Sequence, residues 1–322
     1  MGPAADTSLK RAMVVTVTPN SAIDVWTTTK QVTSGTKLRC SPPQFDAGGG
    51  GVNVSRVLHR LGVGTIALFT AGGSVGDEVA ARLEQEGVPS ERLDVAGQSR
   101  QSLHVLEEDS GELFRFVMPG PELTGAEGQA LLDRLRDIAR DGTMIVGSGS
   151  LPPGLGENYW ARVAKLAKEA NCPFLLDSAH AVKGALSCGL FLLRQNLDEL
   201  CAFTGADLAW PGEVAEWSRE QIERGACEIV VVTRGADGAL LVTKDERVRL
   251  TPPKVAIRSA VGAGDSFMAG LCLGLSRGEP AREALRLAVA TAAATMITSA
   301  TELCRKADVD RLLGQLGATE LL

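Results

Sequence analysis

The stretch Ser259-Ala260-Val261-Gly262-Ala263-Gly264-Asp265-Ser266 places two glycines and a carboxylate where an extended segment hands over to a helix. Upstream, Thr251 to Val261 reads as extended and proline-started. Downstream, Asp265 to Leu275 is dense in apolar residues and carries the small Gly270 and Gly274, the composition of a buried helix. Gly262 and Gly264 then lie at a helix N-terminus, where the first backbone N–H groups lack intrahelical partners and the positive end of the helix dipole points outward. Such a turn can hold an anion without any side chain, and Asp265 beside it can take a proton from an attacking hydroxyl. The same residues can also be only a tight turn with Asp265 as its N-cap, so the choice falls to the rest of the chain.

Outward from that turn, short apolar runs alternate with helical stretches. The runs are Met13 to Thr18, Thr65 to Phe69, Thr143 to Val146, Phe174 to Asp177, Leu190 to Leu193, Ile229 to Thr233 and Ala239 to Val242. Gly76 to Gly87, Thr124 to Arg140, Glu157 to Ala170 and Glu213 to Gly225 are long and amphipathic enough to be crossover helices. The alternation predicts an α/β fold, Rossmann-like and doubly wound, with a mostly parallel sheet covered on both faces. An alanine-rich helix over Arg282 to Ser299 should pack closely on a neighbour. Two segments break the pattern: Trp26 to Phe45 reads as polar extended strands and Ser102 to Val117 as a hairpin. They predict a small inserted β lid, formed by about residues 24–45 and 98–117, on one domain spanning 13–322. Arg39, Arg100 and Arg115 lie in or beside it and could serve a bound phosphate or simply be solvated.

The 322 residues carry a formal net charge of −6, with 44% hydrophobic and 22% charged residues, so nothing in the overall charge points to nucleic acid or a membrane surface. Seven cysteines stand singly, without a CxxC, which argues against a disulfide framework or a zinc site and predicts a reducing, cytoplasmic compartment. Three histidines are too few for a histidine-built metal centre. Residues 1–12 read as a disordered leader without an apolar core.

Separated blocks then agree in order along nearly the whole chain: Lys37-Leu38-Arg39-Cys40, Gly48 to Arg56 (GGGGVNVSR), Arg100-Gln101, Phe116 to Gly120 (FVMPG), Gly147 to Gly154 (GSGSLPPG), Asn196 with Glu199, and Val261 to Asp265. With these blocks the sequence resembles the ribokinase-like sugar kinases of the PfkB group. The resemblance implies transfer of the γ-phosphoryl group of MgATP to a sugar hydroxyl and a lid that builds a homodimer. It implies Asp265 as base and Gly262, Ala263 and Gly264 as the anion hole. It places Asp24, Gly49, Gly50, Asn53, Ser148, Gly149 and Ser150 around the sugar, with Arg100 and Arg39 on its phosphate, Arg39 reaching across a dimer. Nucleotide contacts fall to Lys37, Arg194, Asn196, Thr233, Gly235 and Gly238, and Asn196 with Glu199 would position magnesium through water. Read singly, Asp24 is equally a loop residue at the end of the first strand, Asn53 an N-cap, and Asn196 with Glu199 a capping box.

The glycine run narrows the acceptor. Relatives acting on fructose 1-phosphate or tagatose 6-phosphate typically carry lysine at the position of Gly50, so GGGG with FVMPG and KLRC points to fructose 6-phosphate, phosphorylated at C1 to fructose 1,6-bisphosphate. A kinase for tagatose 6-phosphate or fructose 1-phosphate is the alternative, and a non-catalytic sugar-phosphate or nucleotide sensor the alternative of another class. A dinucleotide oxidoreductase fails because no GxGxxG follows the first strand. Two departures stand out. Arg194 occupies the usual lysine position, and Ala300 and Glu302 replace glycine and arginine near the family's monovalent cation site, which leaves potassium dependence open.

Overall fold

The computed structural model describes residues 14–322; the expected leader lies outside the described residues. The strands in chain order are β1 (Val14–Thr18), β2 (Ala22–Thr29), β3 (Gln44–Gly48), β4 (Thr65–Ala71), β5 (Ser90–Asp94), β6 (Arg100–Glu107), β7 (Leu113–Val117), β8 (Met144–Ser148), β9 (Phe174–Asp177), β10 (Leu190–Asn196), β11 (Cys227–Thr233), β12 (Ala239–Val242), β13 (Arg247–Leu250) and β14 (Glu320–Leu321). The helices are α1 (Gly50–Arg60), α2 (Gly73–Gln85), α3 (Gly125–Ile138), α4 (Tyr159–Glu169), α5 (Val182–Leu186), α6 (Leu197–Thr204), α7 (Gly212–Glu223), α8 (Ala263–Ser276), α9 (Ala281–Met296) and α10 (Lys306–Leu313).

Ten strands form one sheet in the order β14-β13-β12-β11-β10-β9-β8-β1-β4-β5, parallel from β11 to β5 and closed at the other edge by the antiparallel β12, β13 and β14. The chain leaves β1 toward β4 and later returns on its other side through β8. That reversal opens a crevice at the carboxyl ends of β1 and β8, the usual place for a ligand in such sheets. Helices α1, α8, α9 and α10 cover one face and α3, α4 and α7 the other, each around its own apolar cluster. Buried valine and leucine fill the central strands, as burial on both faces demands.

The alanine-rich α9 packs tightly on α8 as expected: a Cβ at Gly270 would lie 2.5 Å from Ala288 Cα, and one at Gly274 would lie 2.6 Å from Ala284 Cα. The lid is a separate four-stranded sheet, β3-β2-β6-β7, in which β2 pairs parallel with β6 and antiparallel with β3. Its bounds shift from those read in the sequence. β2 starts at Ala22 and β3 runs to Gly48, while 30–39 between them is irregular, held near its ends by the Thr29–Cys40 bridge. Thr251 to Ala260 is not a strand: the chain ends β13 at Leu250 and crosses irregularly to α8, because its prolines remove the N–H donors a ladder needs.

Candidate active site

Parallel pairing brings a row of polar side chains to one edge of the main sheet. Ser148 is in register with Asp177, Asp177 with Arg194, and Asn196 with Thr233, so four neighbouring strands end on groups that bind charge or hydroxyls. Arg194 donates to Asp177 Oδ1 at 3.0 Å and to Thr233 Oγ1 at 2.9 Å, with its guanidinium over the Phe267 ring. Burial works against its charge, yet Asp177 beside it holds the guanidinium pKa above its ordinary value. The fork reaches the start of α8: a Cβ on Gly264 would lie 3.1 Å from Arg194 Nη1.

The turn into α8 has the geometry its glycines imply. Gly262 is the N-cap at φ 74°, a left-handed conformation that needs glycine, and Asp265 sits in the first helical turn rather than at the cap. Asp265 Oδ2 accepts from Asn53 Nδ2 at 2.9 Å, which joins the start of α8 to the start of α1. Burial pushes the Asp265 carboxyl up to about 7; the Asn53 donor and Arg194 pull it down, and Asp177 and Asp24 push it up further. A carboxyl poised there can take a proton near neutral pH.

Asp24 lies in lid strand β2, nearly buried, and not in a loop ending the first strand, which closes at Thr18. His104 Nε2 stands 3.7 Å from Asp24 Oδ1, and the carboxylate acts electrostatically on both Arg100 and Asp265. Arg100 opens lid strand β6, donating through Nε to Asn20 Oδ1 at 3.1 Å and through Nη1 to Ser102 at 3.0 Å. Asn20 in turn donates to Ser150 Oγ at 3.1 Å, so this side chain links lid strand β6 to the core. Gly50 touches the opposite wall: a Cβ there would fall 2.4 Å from Ser148 Oγ and 2.7 Å from the Gly149 nitrogen. Gly49 precedes it as the N-cap of α1. Thr18 Oγ1, Ser148 Oγ, Arg194 Nε and Gln195 Oε1 are buried without a hydrogen-bond partner among the described residues, and all four stand at this same edge.

Asn196 and Glu199 form a reciprocal capping box at the start of α6, with Asn196 Oδ1 accepting from the Glu199 nitrogen at 2.8 Å and Glu199 Oε2 from the Asn196 nitrogen at 2.9 Å. Glu199 Oε1 makes no hydrogen bond among the described residues, and no group of three or more His, Cys, Asp or Glu there could hold a metal. That donor set suits magnesium arriving with a nucleotide and its own waters, not a resident ion. After β11, Gly235 and Gly238 bound a single tight turn, with Arg234 paired to Asp237. Lys37 and Arg39 are not brought to the cleft by any described contact; both are exposed on the irregular connection from β2 to β3. Open clefts of about 760 and 900 Å³ lie at the opposite, amino edge of the sheet and include none of these residues.

The pfkB family carbohydrate kinase profile matches residues 13–307. The chain belongs to the PfkB family of carbohydrate kinases. It is 40% identical over 298 residues to the ATP-dependent 6-phosphofructokinase isozyme 2 of Mycobacterium tuberculosis, covering 92% of this chain and 88% of that one. It also superposes on phosphofructokinase-2 from Escherichia coli in complex with fructose-6-phosphate, at TM-score 0.89 and 34% identity, covering 95% and 99% of the two chains. The same Escherichia coli enzyme in complex with potassium aligns at TM-score 0.90 and 34% identity, covering 94% and 99%. As a PfkB kinase the chain has the fold its alternating pattern predicts.

Sequence reading missed four residues that the structure brings to or beside this cleft. Arg56 stood inside a block singled out for other residues, and Asn20 just beyond the apolar run that ends at Thr18. Asp177 was visible as a carboxylate closing an apolar strand, and His104 as a lone histidine in the lid hairpin.

Proposed function

We propose that this chain transfers the γ-phosphoryl group of MgATP to the C1 hydroxyl of fructose 6-phosphate, giving fructose 1,6-bisphosphate and ADP. One observation carries the reading: Asp265 stands in the first turn of α8 behind the Gly262 cap and accepts from Asn53 at the start of α1, its carboxyl pushed up by burial to about 7, with Asp24 near enough to act on both it and the lid cation Arg100. Base, sugar-hydroxyl acceptor and sugar-phosphate cation thus share one cleft.

Asp265 removes the C1 hydroxyl proton as the sugar oxygen bonds to phosphorus and the bond to the ADP oxygen breaks. The backbone N–H groups of Gly262, Ala263 and Gly264 stabilise the transferring group, and Arg194 supplies charge beside Gly264. Asp24, Asn53 and the unpartnered Ser148 hydroxyl take sugar hydroxyls. Arg100 takes the sugar phosphate, its burial already lowering the guanidinium pKa and leaving its charge under-solvated. Thr233, Gly235 and Gly238 receive the nucleotide; magnesium, when bound, would screen the phosphates, held through water by Asn196 and Glu199. The absence of space at Gly50 supports fructose 6-phosphate, since a lysine there would collide with Ser148 and the Gly149 backbone.

Exposed Arg39 is assigned to the sugar phosphate of a second copy. In support of a homodimer through the lid, Phe45, Val25, Leu103 and Phe116 lie in register across all four lid strands, with Phe45 37% and Phe116 50% exposed. No helix among the described residues is long and apolar enough to cross a membrane, and with seven free cysteines we place the enzyme in the cytoplasm. Ala300 keeps φ 57°, the backbone geometry a glycine would take, which supports keeping potassium as an effector; kcat in KCl against NaCl tests this. The deciding experiment is ADP release with MgATP and fructose 6-phosphate, fructose 1-phosphate, tagatose 6-phosphate or fructose. The expected result is the highest kcat/KM with fructose 6-phosphate. Preference for another sugar overturns the acceptor, and binding without turnover of any would make the chain a sensor.

A further inference from the structure

Arg56 on α1 is 1% exposed, yet all five of its guanidinium hydrogens are used. Nε donates to Glu86 at 2.9 Å and Nη2 to Glu86 at 2.6 Å and Asp46 at 3.0 Å. Nη1 donates to the Ala47 carbonyl at 2.7 Å and to Asn53 Oδ1 at 3.2 Å. The last bond fixes the Asn53 amide: with its oxygen committed to Arg56 one turn along α1, its nitrogen must face Asp265, where it donates at 2.9 Å. Asp46 and Ala47 belong to lid strand β3, and Asp46 also accepts from Thr301, beyond α9. A continuous chain of hydrogen bonds therefore runs from the lid through Arg56 and Asn53 to the carboxyl of Asp265.

We infer that Arg56 is a positioning residue for the base, holding the Asn53 amide so that it donates to Asp265 and tying that bond to lid strand β3. The inference rests on Asp265 being the base. The groups facing Asp265 are Asn53 from α1, Asp177 from β9, Arg194 from β10 and Asp24 from β2. Asn53 and Arg194 favour the carboxylate and the two acids disfavour it, so a slack Asn53 raises the pKa. A guanidinium does this where an ammonium cannot, because three donors cannot make five hydrogen bonds to four acceptor atoms on three sides of the group.

The test is kcat and KM against pH, with MgATP and fructose 6-phosphate, for the wild type, Arg56→Lys and Asp46→Asn. In Arg56→Lys the acid limb of kcat is expected to move up by about one pH unit and kcat at pH 7 to fall about fivefold, with KM for MgATP unchanged within about twofold. Asp46→Asn should move the limb the same way by less. A kcat that falls with Tm while the limb stays put would overturn the inference and leave Arg56 a structural residue. Should Arg56→Lys not fold, the wild-type side-chain amide resonances of Asn53 decide. Amide protons that exchange slowly with solvent and whose shifts titrate with the acid limb support the inference, and protons that exchange freely and do not titrate overturn it. An acid limb that persists in Asp265→Asn would instead sink the assignment of the base, a separate failure.

Discussion

Asp265 carries a proton in the native state over a range of pH in which the unfolded chain has lost it. Its folded pKa of about 7 lies above the ordinary 3.8, so its contribution to stability declines as pH rises from about 4 to about 7, and the penalty is complete above that. Asp265→Asn is therefore expected to be more stable than the wild type at pH 8, by on the order of 2 kcal/mol once partial exposure is discounted, and no more stable at pH 4; melting curves at the two values check this. The same variant should lose about 10² to 10⁴ in kcat while still binding fructose 6-phosphate by calorimetry. Undiminished turnover would remove Asp265 from the chemistry. Arg194 gives a second prediction. Lysine there keeps a charge but cannot bridge Asp177 and Thr233 with a planar fork, so Arg194→Lys should lower kcat/KM for MgATP by about tenfold or more.

Helices α8 and α9 show how element packing supports the site. The Gly262 turn aims the start of α8 at the cleft, and the remainder of the helix is fixed by its close approach to α9 at Gly270 and Gly274. Gly270→Val would drive a branched side chain into the Ala288 backbone, with an expected loss of about 3 kcal/mol and a matching fall in Tm. The loop after α9 carries its own strain: Ala300 is left-handed and packs beside Trp26 and Val261. Ala300→Gly should be neutral or slightly stabilising, because relief of about 1 kcal/mol of backbone strain is partly offset by the freer unfolded chain. A marked loss of stability would mean that the Ala300 methyl matters more as packing than its conformation costs.

The lid meets the core through β2, β3 and β6, and under the proposed function it also meets a second copy. Phe116→Asp puts a charge in the apolar row of the lid, so sedimentation should show the wild type as a dimer and this variant as a monomer, with a raised KM for fructose 6-phosphate if Arg39 reaches across. A wild-type monomer would remove the lid interface and the role of Arg39 together. ATP hydrolysis without sugar should be slow, since water is not positioned as the sugar hydroxyl is; rapid sugar-independent release of ADP would contradict that.

The alternation of apolar runs and amphipathic stretches was enough to specify the parallel sheet, because burial on both faces leaves a strong local signature in residues such as Val14 to Thr18 and Phe174 to Asp177. The glycine-bounded Asp265 and the Asn196 box were legible for the same reason: their chemistry depends on neighbours close in sequence. What only the tertiary structure decided was convergence at long range. Asn53 meets Asp265 across 212 residues, and Asn20 meets Ser150 across 130. The five-bond enclosure of Arg56 likewise joins three elements. The placement of Asp24 on a lid strand also follows from hydrogen-bond pairing between segments that no local pattern of side chains records.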